Sequence, residues 1–151
     1  MVETILKTFL IAMTPVLEIR GAIPVGVTGG LDPWLAYFVG VVGNMLPIPI
    51  LVILTRRILL WLRRFRPFKK ITDFLEGKAE KNRKLVDKYE FWGLVVLVAI
   101  PLPGTGAWTG ALVASFMSMR LRNCIPAITL GVVIAGLIVL ATTCGIIHLS
   151  A

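Results

Sequence analysis

Thr14-Pro15-Val16-Leu17-Glu18-Ile19-Arg20-Gly21-Ala22-Ile23-Pro24 decides how the rest of the chain is read. Phe9 to Met13 before it and Val25 to Val27 after it are apolar, yet the stretch carries a carboxylate and a guanidinium two residues apart. Charges at membrane depth are costly, so they mark a binding site or a transport path, or they pair to hold the fold. Two prolines and Gly21 predict a break in any helix through it. Helical backbone would point Glu18 and Arg20 about 200° apart. Extended backbone would put them on one face. The expectation is therefore the tip of a re-entrant hairpin that presents both charges to a buried cavity. Irregular backbone at that depth is tolerated only against protein or water.

Composition sets the background. The 151 residues are 57% hydrophobic with a mean hydropathy of +0.88, above the roughly 45–50% of a soluble domain. Phe91–Met119, Pro33–Leu54 and Asn123–Ile147 carry no charged residue, and about 20 apolar residues span a bilayer. An integral, multi-pass membrane protein follows. The net charge of +8 is local, because twelve of the sixteen Lys and Arg lie between Arg56 and Lys88. That concentration fits a cytoplasmic loop and not a nucleic-acid footprint. Cys124 and Cys144 are 20 residues apart on one expected helix, so they read as small buried hydrophobes. His148 has no companion ligands, so no metal or other cofactor is expected.

In chain order, residues 1–13 read as the first hairpin arm, not as a signal peptide, because no small-x-small cleavage site follows. Gly21–Thr28 is the second arm. Asp32 and Pro33 are an N-cap and a first helical residue. The helix from Trp34 to Leu54 is long enough to cross, with Trp34 and Tyr37 as interfacial aromatics. Pro47 and Pro49 kink it. Asn44 faces a cavity or makes an interhelical hydrogen bond. Residues 55–90 alternate basic and apolar positions and read as a basic, amphipathic cytoplasmic linker able to meet anionic lipid. A second hairpin, Phe91–Met119, is broken by Pro101-Leu102-Pro103-Gly104-Thr105-Gly106. Small residues recur at Ala36 and Gly40, at Gly106, Gly110 and Ala114, and at Ala127, Gly131 and Ala135, the spacing of close helix packing.

The halves repeat. Thr14-Pro15-Val16 echoes Ile100-Pro101-Leu102, Gly21-Ala22 echoes Gly106-Ala107, and Ala-x-x-x-Gly-Val-Val occurs at Ala36–Val42 and again at Ala127–Val133. The expected fold is one all-α polytopic domain. Its first repeat is 1–54, its linker 55–90 and its second repeat 91–151. With 55–90 inside, the repeats are inverted, a recurrent transporter design.

Glu18-Ile19-Arg20-Gly21-Ala22-Ile23-Pro24, with Pro101-Leu102-Pro103-Gly104-Thr105-Gly106-Ala107-Trp108-Thr109-Gly110-Ala111, resembles the small multidrug export family over nearly the whole chain. That family is in turn distantly similar to the DedA membrane proteins. The resemblance implies two oppositely oriented re-entrant hairpins and a polyprenyl-phosphate lipid carrier as cargo. DedA proteins also carry hairpin charges. Glu18 and Arg20 match that pattern, whereas the second hairpin tip has no charge.

Three functions compete. The first is transport of an anionic lipid phosphate. Arg20 would grip the phosphate, the N–H groups of Thr105, Gly106 and Ala107 would add to the anion site, and Glu18 would couple a proton. The second is export of small molecules, with Glu18 as the proton and cation site. The third is a scaffold in which Glu18 and Arg20 pair to lock the hairpin. The candidate substrate-binding residues are Glu18, Arg20, Gly21, Asn44, Pro101, Pro103, Gly104, Thr105 and Gly106. No catalytic set or phosphate-loop motif appears, so an enzyme is not expected. Expected partners are membrane lipids and, because the small-residue stripes outnumber the expected intrachain partners, a second copy.

Overall fold

The computed structural model describes residues 1–62, 64, 83–102 and 104–150. The described residues form seven helices: α1 (Val2–Met13), α2 (Glu18–Thr28), α3 (Pro33–Met45), α4 (Ile48–Leu62), α5 (Arg83–Ala99), α6 (Ala107–Phe116) and α7 (Leu121–Ser150). No strand occurs among them. Most of the 55–90 linker, including Arg63, Arg66, Lys69 and Lys70, lies outside the described residues.

Two helical rods are long and apolar enough to cross a membrane, Pro33–Trp61 and Leu121–Leu149. The first is interrupted between α3 and α4, where Pro47 and Pro49 lack the N–H groups that would continue the ladder. Large apolar side chains such as Phe38, Val42, Ile50, Leu54 and Ile134 face outward from these rods. An outer surface of that kind suits lipid. Asp32 caps α3 as its sequence suggests, accepting from Trp34 N at 3.0 Å and Leu35 N at 3.2 Å.

Before each rod comes a helix, a break and a shorter helix. α1 and α2 flank Thr14–Leu17, and α5 and α6 flank Ile100–Gly106. α2 packs on α1, α3 and α7, while α5 packs on α7 and α6 on α4. α2, α3 and α4 of the first half all pack on helices of the second, α2 on α7. The buried Ile19 and Ile23 of α2 lie against Gly40 of α3, and Ile19 also meets Gly136 of α7.

The first break is narrower than expected. Helix resumes at Glu18 and runs through Gly21 and Pro24. A glycine costs about 1 kcal/mol in a helix, and Pro24 forfeits one bond to the preceding turn. Leaving several backbone groups open in an apolar surround costs more, so the helix closes over both residues. Gly21 and Gly106 are therefore not equivalent, since Gly21 lies inside a helix and Gly106 precedes one. Of the Ala36–Val42 and Ala127–Val133 segments, Ala36, Gly40, Ala127 and Gly131 are all buried, whereas Val41 and Val42 are more exposed than Val132 and Val133.

Tyr37 is not interfacial. It is buried, and its hydroxyl donates to Val133 O at 3.3 Å, while Trp34 stays exposed. The small-residue stripes are filled from within the chain. Gly110 and Gly131 both press on Val98 of α5, and Gly26 of α2 presses on Ala36. Their spacing therefore gives no argument for a second copy. Cys124 is buried, Cys144 is partly exposed, and both are free thiols.

Candidate functional site

Pro101 follows the end of α5, and the segment before α6 has carbonyls and amides that no helix satisfies. Local bonds hold it: Leu102 N donates to Ile100 O at 2.9 Å, Thr105 N to Leu102 O at 3.2 Å, the Thr105 hydroxyl lies 2.7 Å from Ile100 O and 2.8 Å from Leu102 O, and the Thr109 hydroxyl donates to Gly104 O at 2.9 Å. Gly104 (φ 82°) and Gly106 (φ 134°) take backbone angles that L side chains rarely adopt. Gly106 is the residue before α6 and has no side chain to cap it.

α2 supplies what the break lacks. The Glu18 carboxylate accepts from Ala107 N through Oε2 at 3.2 Å and from Trp108 N through Oε1 at 3.1 Å. It is the N-cap of α6, delivered from another helix. Arg20 does the converse at the end of α5. Its Nη1 donates to Leu102 O, and its Nη2 donates to Ile100 O at 3.1 Å and to Thr105 Oγ at 2.7 Å. A negative group thus sits on a helix N-terminus and a positive group on a helix C-terminus, each matched to the local dipole. Glu18 is 4% exposed. It opens α2 in the left-handed region, at φ 47°, a strained angle for a residue with a Cβ.

The two charges do not share a face, because α2 is helical there. They straddle the break, one at each end. Among the described residues Glu18 and Arg20 form no direct ion pair, and the ion pair seen is Lys7–Glu3 at 2.6 Å on the exposed side of α1. Two amides of the expected cradle are also already in use. The Ala107 amide serves Glu18 and the Thr105 amide serves Leu102.

Asn44 comes to this junction from α3. It is fully buried with the Glu18 carboxylate as its polar neighbour, and neither end of its amide makes a hydrogen bond of good geometry. Arg20 Nε and Trp108 Nε1 are likewise buried and unpartnered. Of the expected site residues, Glu18, Arg20, Asn44, Thr105 and Gly106 meet here. Gly104 is exposed at the turn, Pro101 is exposed and shapes it, Gly21 packs on Leu17 inside α2, and Pro103 lies outside the described residues. Sequence reading missed the Trp108 amide and the Ile100 and Leu102 carbonyls. The available signal was α6 itself, an apolar helix that starts after a glycine with no Ser, Thr, Asp or Asn to cap it. No cluster of metal ligands occurs among the described residues.

A family model described as "Putative small multi-drug export protein" matches residues 18–138, from Glu18 to the middle of α7. No curated protein and no solved structure matches the chain.

Proposed function

The chain belongs to the putative small multi-drug export family, and from that premise we propose that it is a membrane exporter of small molecules whose working group is Glu18. The observation that carries this reading is a carboxylate, almost wholly buried, at the junction of two broken helix pairs. Its charge is held by two backbone amides that an incoming proton or cationic cargo can release. Arg20, Asn44 and Thr105 line the same junction. In this reading the two helix–break–helix units are re-entrant hairpins of opposite orientation, and residues 55–90 face the cytoplasm, where their basic side chains belong.

An anionic lipid carrier is the second reading. It draws on Arg20 and the α6 N-terminus, a combination suited to phosphate. Both are engaged with the protein itself, so such a cargo has to displace Glu18 from Ala107 and Trp108. The family description favours the small-molecule reading.

The test is efflux of a lipophilic cation from proteoliposomes under an imposed proton gradient, beside translocation of a labelled polyprenyl phosphate in the same vesicles. Cation efflux lost in Glu18→Gln supports the exporter. Lipid translocation without cation efflux supports the carrier. Equal efflux from wild type and Glu18→Gln overturns the role given to Glu18.

A further inference from the structure

Glu18 holds the start of α6. At the other end α6 gives way to a tight turn, with Ser118 at φ 55°, before α7 begins at Leu121. α4 packs along α6 and also reaches α7. The Ser115 hydroxyl lies 3.4 Å from the Val52 carbonyl of α4, so α4 passes the last turn of α6 at this point. Arg56 follows Val52 by one turn, on the same face, and the fully buried Cys124 of α7 is its neighbour. Arg120 and Arg122 flank Leu121, and both are exposed. Three arginines thus gather where the first membrane-length rod ends and the second begins.

Arg56 differs from an ordinary solvated arginine. Its side chain is only partly exposed, and its Nε and Nη2 are buried with no hydrogen-bond partner. Among the described residues none of the three arginines takes part in an ion pair. A guanidinium has only donors, so an anion with several oxygens supplies what Arg56 lacks. A charge that only set topology would keep its donors in water. Next to the arginines the outer surface is apolar. Ile53, nearly one turn before Arg56, and Phe116, at the end of α6, are exposed. An anionic head beside an apolar tail is the chemistry of a membrane phospholipid, and basic pockets between membrane helices hold such headgroups. An arginine near the end of a span reaches a headgroup by turning its own side chain.

We propose that Arg56, with Arg120 and Arg122, seats the phosphate of an anionic phospholipid where α4 meets the turn between α6 and α7. The lipid bridges the two halves of the chain, with Arg56 from the first and Arg120 and Arg122 from the second. It is a bound lipid and not cargo. Its seat lies at the far end of α6 from Glu18, and neither site depends on the other.

Lipid binding to the full chain in mild detergent tests this, with phosphatidylglycerol, phosphatidylcholine and inorganic phosphate as probes. Native mass spectrometry of wild type is expected to retain phosphatidylglycerol at a collision energy that strips phosphatidylcholine. Arg56→Gln is expected to weaken phosphatidylglycerol binding about tenfold, the weight of one charged hydrogen bond. Arg120→Gln with Arg122→Gln is expected to weaken it at least as much. Arg57→Gln removes the next charge along the chain, which is exposed, and is expected to bind as wild type does. Equal affinity in wild type and Arg56→Gln overturns the proposal. Equal losses in Arg56→Gln and Arg57→Gln also overturn it, by showing a diffuse field in place of a seat. Inorganic phosphate that binds as tightly as phosphatidylglycerol replaces the lipid with a soluble anion. Should Arg56→Gln fail to fold, wild type alone decides, because phosphatidylglycerol and phosphatidylcholine retained alike exclude the seat.

Discussion

Glu18 accepts the backbone N–H of Ala107 across 89 residues of sequence, joining the first residue of one short helix to the first residue of another. Two residues on, Arg20 reaches the carbonyls at the end of α5. One turn of α2 therefore caps both sides of the second break. This geometry explains why two charges are kept in an apolar region. Removing Glu18 leaves the Ala107 and Trp108 amides open in a largely buried place, and removing Arg20 leaves the Ile100 and Leu102 carbonyls open at an exposed turn.

Gly106 is the position where that contact is tightest. A Cβ there would land on the Glu18 carboxylate, and its backbone (φ 134°, ψ −168°) lies in a region nearly restricted to glycine. Gly104 has positive φ (82°) but nothing within 4 Å of a would-be Cβ. Gly104→Ala is expected to cost only the backbone strain, roughly 1–2 kcal/mol. Gly106→Ala is expected to cost distinctly more and to displace Glu18. Thermal unfolding of both variants in the same detergent checks the order, and equal losses would remove the close contact from the account.

A charge swap separates this geometry from a simple pair. If Glu18 and Arg20 mainly neutralised each other, Glu18→Arg with Arg20→Glu would preserve the lock. Here the partners are mainly backbone groups of fixed polarity. Arg at 18 would face two N–H donors, and Glu at 20 would face two carbonyls and a hydroxyl. The double variant is expected to unfold at a lower temperature than either single alanine variant. A swap that melts like wild type contradicts the capping role.

Arg20→Lys keeps the charge and loses the fork. One ammonium cannot reproduce the planar guanidinium that reaches Leu102, Ile100 and Thr105 together. Hydrogen bonds to charged groups contribute about 1.5–3 kcal/mol each. Losing one of them is expected to raise hydrogen exchange in residues 100–106 by at least tenfold, with α3 and α7 unchanged. Unaltered exchange in that segment would show that the fork is not needed there.

Much of this was legible in the residues. The uncharged runs announced the two rods, Asp32-Pro33 announced the start of α3, and the proline and glycine cluster at 101–106 announced the second break. Helical continuity through Gly21 and Pro24 was not legible, because local propensity argues against it and the apolar surround overrides propensity. The partners of Glu18 and Arg20 were hidden for a different reason. Apart from the Thr105 hydroxyl they are backbone atoms about 80–90 residues away, and backbone groups leave no mark in composition. Tyr37 was misplaced because an aromatic near a helix start reads as interfacial, whereas Ile19, Gly136 and Val133 close around it.

Gly131 tests where the small-residue stripes are spent. Its would-be Cβ lies 2.6 Å from Val98 Cβ and 3.0 Å from Val95 O, so α5 and α7 touch through backbone at this point. Overpacking a tight contact costs about 1–3 kcal/mol, and a neighbouring carbonyl cannot rotate away as a side chain does. Gly131→Leu is therefore expected to lower the melting temperature of the single chain and to loosen α5 from α7, at any protein concentration. A stripe used between copies would behave otherwise. The same substitution would then change the mass measured by light scattering while the melting temperature held. Recording both quantities on one sample separates packing inside the chain from packing between chains, and Val98 beneath Gly131 points to the first.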